Sequence, residues 1–147
     1  MKKLSIIAAF ILTIVTSAFA DDKKAPAFKG ADHFKSAFPS ATIDAYEIKG
    51  KYTVVNFTWN GLKLQSFYDA QGNSIGTSRE IAIHDLPLSY LANIRSEYPD
   101  YALVQAIEFD HTTEGLKYYV TVQGAQRSYV LEISPEGTIS VFKKMKN

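Results

Sequence analysis

"SAFPSAT" occupies Ser36–Thr42 and "SEYPDYA" occupies Ser96–Ala102. Each runs from serine through an aromatic-proline pair to small polar residues and an alanine, and the prolines, Pro39 and Pro99, are 60 positions apart. Proline pushes the residue before it out of the α region. Each phrase therefore marks the end of a helix and the start of extended chain. A chain that writes the phrase twice reads as two copies of one unit.

On the N-terminal side of each phrase the apolar spacing is helical. Asp32 is placed to cap a short helix that carries Phe34, Ala37 and Phe38 on one face. A second helix is expected to open at His84-Asp85, with Asp85 as its cap, Pro87 in the tolerated first turn, and Leu88, Leu91, Ile94 and Tyr98 as its buried stripe. On the C-terminal side the period falls to two. Strands are expected over Thr42–Ile48, Tyr52–Trp59, Leu62–Tyr68 and Ser74–Ile83, and again over Ala102–Phe109, Lys117–Gln123, Arg127–Ile133 and Thr138–Phe142. "DAQG" (Asp69–Gly72) and "SPEG" (Ser134–Gly137) each place a capping polar residue first and glycine fourth, the signature of a type I turn followed by a residue with positive φ. The two glycines are 65 apart, so the second copy carries a net insertion, where "KGK" (Lys49–Lys51) becomes "DHTTEGLK" (Asp110–Lys117).

One helix over four short strands makes too small a core. Two units side by side predict an α+β fold: a tandem repeat of a helix plus a four-stranded antiparallel meander, with both helices on one face of the sheet. Alternation assigns Val55, Phe57, Leu64, Tyr68, Ile107, Phe109, Tyr118, Val120, Val122, Tyr129, Leu131, Ile133, Ile139 and Val141 to the face under the helices. Tyr52, Asn56, Thr58, Gln65, Phe67, Tyr119, Thr121, Gln123, Glu132 and Phe142 fall on the opposite face, which is expected to stay open.

The start of the 147-residue chain follows a different logic. Lys2 and Lys3, an apolar run over Leu4–Val15 and the small-x-small triplet Ala18-Phe19-Ala20 give the order of a secretory signal peptide cleaved after Ala20. The run is shorter than the roughly 20 residues a membrane span requires. Residues 21–30 read as a flexible leader, and 31–147 as one domain of two repeats, 31–83 and 84–147. Without Lys2 and Lys3 the 16 basic residues fall to 14 against 15 acidic ones, a near balance that argues against a nucleic-acid partner. The chain has no cysteine, so an exported product must draw its stability from packing.

A family resemblance rests on the order of several short motifs: "FPSA" after the signal, "YTVVNF" (Tyr52–Phe57), "YDAQG" (Tyr68–Gly72), Leu86-Pro87 before a helix, then "YP", "YYVTV" and "ISPEGTI". This order resembles the PepSY-like, beta-lactamase-inhibitor-like (BLIP-like) small exported bacterial proteins. The resemblance implies a tandem helix-plus-four-strand fold with a sheet face available to a protein. No contact residue of that family maps onto this chain by motif, and Tyr46 stands where relatives often carry tryptophan.

Catalytic patterns are not found. His33, His84 and His111 lack the spacing of a zinc pair, and no serine sits in a Gly-x-Ser-x-Gly elbow. The expectation is a non-enzymatic exported protein, periplasmic or secreted, with no cofactor, that recognises a protein or peptide through Tyr52, Asn56, Phe67, Tyr119, Thr121 and Phe142 on the open sheet face. The alternative is a small-ligand or metal-binding module that uses Asp110, His111 and Glu114 in the inserted loop.

Overall fold

The computed structural model describes residues 27–147, so the expected signal peptide and most of the expected leader lie outside the described residues. The elements run α1 (Ala31–Ala37), β1 (Thr42–Lys49), β2 (Tyr52–Trp59), β3 (Leu62–Tyr68), β4 (Ser74–Ile81), a 3-10 turn (Ile83–Asp85), α2 (Leu88–Glu97), β5 (Ala102–His111), β6 (Gly115–Gln123), β7 (Arg127–Ile133) and β8 (Ile139–Lys146). All eight strands form one antiparallel sheet in sequence order, β1 to β8. The α+β class is as the sequence implied.

The two glycine turns fix the register as expected. Gly72 and Gly137 have φ of 90° and 87°, and their amides donate to Asp69 O and Ser134 O at 3.0 and 2.8 Å. The Asp69 carboxylate accepts from the amides of Gln71 and Asn73, both at 2.9 Å, which holds it below the usual carboxylate range; its bond from the Asn73 side-chain amide at 3.0 Å contributes most.

Both helices lie on the same face. In an antiparallel sheet directly paired residues share a face. The pairs Val55–Ser66 and Ser66–Thr77 on one side continue through β4 to Ile81–Ala106, Ala106–Val120 and Val120–Leu131 on the other. Phe34 of α1 packs with Phe28, Val55, Phe57 and Tyr68, and Ile94 of α2 packs with Leu86, Ala106, Val120, Val122, Leu131 and Ile133. Each helix start sits against a turn glycine. A Cβ on Gly72 would lie 2.7 Å from the Gly30 nitrogen, and one on Gly137 would lie 2.9 Å from the Tyr90 ring.

Several expectations need correction. Neither Asp32 nor Asp85 caps a helix: Gly30, with φ 98°, precedes α1, and Pro87 precedes α2. The buried stripe of α2 is Tyr90, Ile94 and Tyr98, continued upstream by Leu86, whereas Leu88 is 81 % exposed. The 3-10 turn tucks Leu86 inward before the helix begins, and that sets the helical phase. The described end of the expected flexible leader contributes Phe28 to the core, in ring contact with Phe34, Tyr46 and Tyr68. Ile107 and Phe109, expected under the helices, lie on the other face. A β-bulge at Val104, between the pairs Leu103–Val122 and Gln105–Thr121, inverts the alternation for the rest of β5. A bulge at Asp44 interrupts β1 at the matching place after its own proline.

Candidate functional site

The face away from the helices carries a second core. Val54, Phe67, Ile107, Phe109, Tyr119 and Val130 are buried there, with Tyr52, Ile75, Phe142 and Met145 partly buried against them. The cluster is built from side chains that cross the strands. Phe67 on β3 and Phe109 on β5 have ring centroids 5.5 Å apart, although β4 separates them. They meet over Gly76, where a Cβ would lie 2.8 Å from Phe109 Cζ and 2.5 Å from the Asp110 carbonyl. Phe109 touches Tyr119 at 6.3 Å, and Tyr119 touches Phe142 on β8 at 5.0 Å. These contacts reach across intervening strands and join the rings into one row along this face.

The predicted binding residues are thus on the predicted face, but the expectation that Phe67 and Tyr119 are exposed is overturned: they retain 1 % and 4 % of their accessible surface. Tyr52 and Phe142 are half-buried at the margins of the row. Asn56 and Thr121 are half-buried as well, and Asn56 Oδ1 accepts from Gln65 Nε2 at 2.7 Å. Gln65 Oε1 in turn accepts from Ser78 Oγ at 3.5 Å, a polar ladder over β2, β3 and β4.

The inserted loop meets this face. It is a tight turn between β5 and β6, in which His111 Nδ1 accepts from the amides of Thr113 and Glu114 at 3.2 and 3.1 Å. His111 Nε2 lies 4.0 Å from Glu114 Oε1. Glu114 also accepts from Lys117 Nζ, whose bond and charge hold the Glu114 carboxyl below its ordinary range. Lys117 is itself buried, and its ammonium lies 3.8 Å from Glu132 Oε1. Glu132 Oε2 accepts from the Tyr119 hydroxyl at 2.8 Å. Burial first, and the Glu132 charge second, push the Tyr119 phenol far above its ordinary value, so it stays protonated and donates. His111, Glu114, Lys117, Glu132 and Tyr119 therefore form one polar chain from the turn to the aromatic row.

That arrangement weighs against the metal reading. Glu114 is already held by an ammonium, and His111 uses Nδ1 to order the turn. Asp110 pairs with Thr77 and Leu116 on the helix side, so it does not join His111. Among the described residues no group of three histidines and carboxylates is placed to hold a metal ion. Sequence reasoning missed Lys117. Its spacing of three from Glu114 was the available signal, but Glu132 is brought to it by the β6–β7 pairing alone.

No protein-family model matches the chain, and no curated protein matches it. Solved structures do. A BLIP-like protein from Bacteroides fragilis superposes with a TM-score of 0.68 at 23% identity, over 84% of this chain and 89% of that one. The fold is BLIP-like. A DUF2874 family protein from Bacteroides ovatus gives a TM-score of 0.70 at 17% identity, over 84% of this chain and 89% of its own. A protein from Bacteroides eggerthii, named as a candidate periplasmic protein, gives 0.68 at 16%, with the same coverage. At these identities the BLIP-like fold is what is shared. No described helix is long and apolar enough to cross a membrane.

Proposed function

We propose that this chain is an exported, non-catalytic binding protein that presents the uncovered sheet face to a protein or peptide, and that its BLIP-like fold arose by tandem duplication of a helix and four strands. The observation that carries this reading is the face itself, over which no helix of the described residues packs. Its aromatic floor, Phe67–Phe109–Tyr119–Phe142, is fixed by packing, and half-buried polar groups stand around it: Asn56, Gln65, Gln105, Thr121 and Glu132. A preorganised surface lowers the ordering cost of association. Aromatic residues beside polar donors and acceptors suit a protein interface. The recognising groups are then the polar rim with Tyr52 and Phe142, while Phe67 and Tyr119 support them. Export is supported by the order of the N-terminal motifs and by the candidate periplasmic protein among the structural neighbours.

The test is site-specific photocrosslinking in cells. A photoreactive residue at Gln65 or Thr121, on the uncovered face, should yield a discrete adduct with a periplasmic or secreted protein. The same residue at Arg95, exposed on α2, should yield none. Adducts from Arg95 alone would overturn the assignment of the face.

A further inference from the structure

The sheet is open, and its two outer strands differ in charge. Among the described residues nothing pairs with the outer edge of β1 or β8. β1 reads TIDAYEIK and β8 reads ISVFKKMK. Lysines on an edge strand usually keep it from pairing with its own kind. Here Lys143, Lys144 and Lys146 disfavour a β8–β8 contact, whereas β1 carries Asp44 and Glu47 against one cation, Lys49, which lies 2.9 Å from Glu47; a paired β8 lysine would share that carboxylate. Both edges also expose apolar side chains on the helix side: Tyr46 and Ile48 on β1, and Val141 on β8.

From these edges we infer that the protein associates head to tail with further copies of itself, β8 of one copy pairing with β1 of the next. The topology permits it. With eight antiparallel strands in sequence order, β1 and β8 run in opposite directions, so a copy added in the same orientation continues the sheet in antiparallel sense with all helices on one face. One register satisfies the side chains. Glu47 opposite Lys143 pairs residues that both face away from the helices, and it then sets Tyr46 against Lys144 and Ala45 against Met145, each pair on a common face. The bulge at Phe142 brings Val141 opposite Ile48. An acid meets a lysine, a tyrosine ring meets an ammonium, and the exposed apolar groups cover one another. A heterologous contact of this kind yields rings when the rotation closes and filaments when it does not.

Sedimentation velocity on the chain purified after export tests this. The average sedimentation coefficient should rise with concentration between about 10 µM and 1 mM, the range open to a small interface, and the rise should weaken with added salt. Glu47→Lys and Lys143→Glu should each weaken association by about tenfold. The double variant Glu47→Lys/Lys143→Glu should recover it, since the pair is restored with reversed signs. Glu47 and Lys143 are both exposed, and unchanged far-UV circular dichroism confirms that the fold is retained. A monomer throughout the range overturns the inference. So does association that neither single variant weakens, or a closed symmetric dimer, since these do not use the complementary edges.

Discussion

The two faces of the sheet reach the same burial by different routes. On one face Val55, Phe57, Tyr68, Val120, Val122 and Leu131 are covered by α1 and α2, and their surroundings are mostly apolar, with buried Thr53 and Ser66 and a His33–Tyr68 hydroxyl contact at 3.3 Å as the polar groups. On the other, Phe67, Phe109, Tyr119 and Val130 are buried with no helix of the described residues above them, and their surroundings include a buried lysine and a tyrosine-carboxylate bond. A helix excludes water with its own side chains. On the other face large rings exclude it by meeting across strands and over Gly76, and polar groups complete the cover. The helix-covered core is therefore mainly a matter of packing, and the other core of packing joined to a charged, hydrogen-bonded rim.

The strongest test of that contrast asks whether the uncovered face is a full core. Phe57→Ala under α1 and Phe109→Ala on the other face both remove a buried ring. Each should cost about 3–5 kcal/mol, measured by urea unfolding. A cost for Phe109→Ala within about 0.5 kcal/mol, the value typical of surface sites, would show that the uncovered face is a surface and would break the comparison. The next largest effect should be confined to the uncovered face. Tyr119→Phe keeps the ring but removes the donor to Glu132. A hydrogen bond to a charged group contributes about 1.5–3 kcal/mol, so a loss in that range is expected. Tyr68→Phe, under α1, removes a hydroxyl that meets His33 Nδ1 at 3.3 Å and no carboxylate, and should lose less.

Much of this architecture was legible in the sequence. The bounds of β2, β3 and β7 follow from alternation, and the glycine turns fix where the hairpins close. What alternation cannot reveal is a bulge. One unpaired residue, Val104, moved Ile107 and Phe109 to the other face, because a shift of one residue inverts every later side chain. Alternation also assigns a residue to a face without saying whether that face is wet. Phe67 and Tyr119 were placed on the correct side, but their burial depends on contacts across β4 and β7 that only the paired strands supply. The polar chain was half legible: Glu114 and Lys117 are local, while Glu132 arrives by strand pairing.

Acid should act on the rim of the uncovered face. Lys117 lowers the Glu114 carboxyl below its unfolded value, so the folded state binds this proton less readily than the unfolded state does. The stabilisation is present above the unfolded value of about 4.3 and is lost as pH falls through the lowered folded value. Lys117→Met removes the cause. The difference in melting temperature between the parent and Lys117→Met should be largest near neutral pH and should shrink as pH falls below about 4. A difference that is constant with pH would mean that Lys117 contributes by packing alone.

The smallest effect separates the two sides of α2 and sharpens what counts as the helix-covered core. Leu88 has the spacing of a buried position relative to Leu91, yet it is 81 % exposed, whereas Ile94 has no accessible surface. The difference arises because Leu86 enters the core ahead of the helix, so the inward stripe runs Tyr90, Ile94, Tyr98 at intervals of four. Successive positions four apart lie on one helical face, and Leu88, two residues from Tyr90, points away from it. Truncating an exposed leucine returns little apolar surface to water, because that surface was never removed. Leu88→Ala should therefore change stability by less than about 0.5 kcal/mol, with alanine's higher helix propensity opposing any loss. Ile94→Ala in the same helix should cost about 2–5 kcal/mol. Chemical denaturation of the two variants side by side reads the phase of α2 directly, and a large loss at Leu88 would require the helix to be rotated toward the sheet by roughly half a turn.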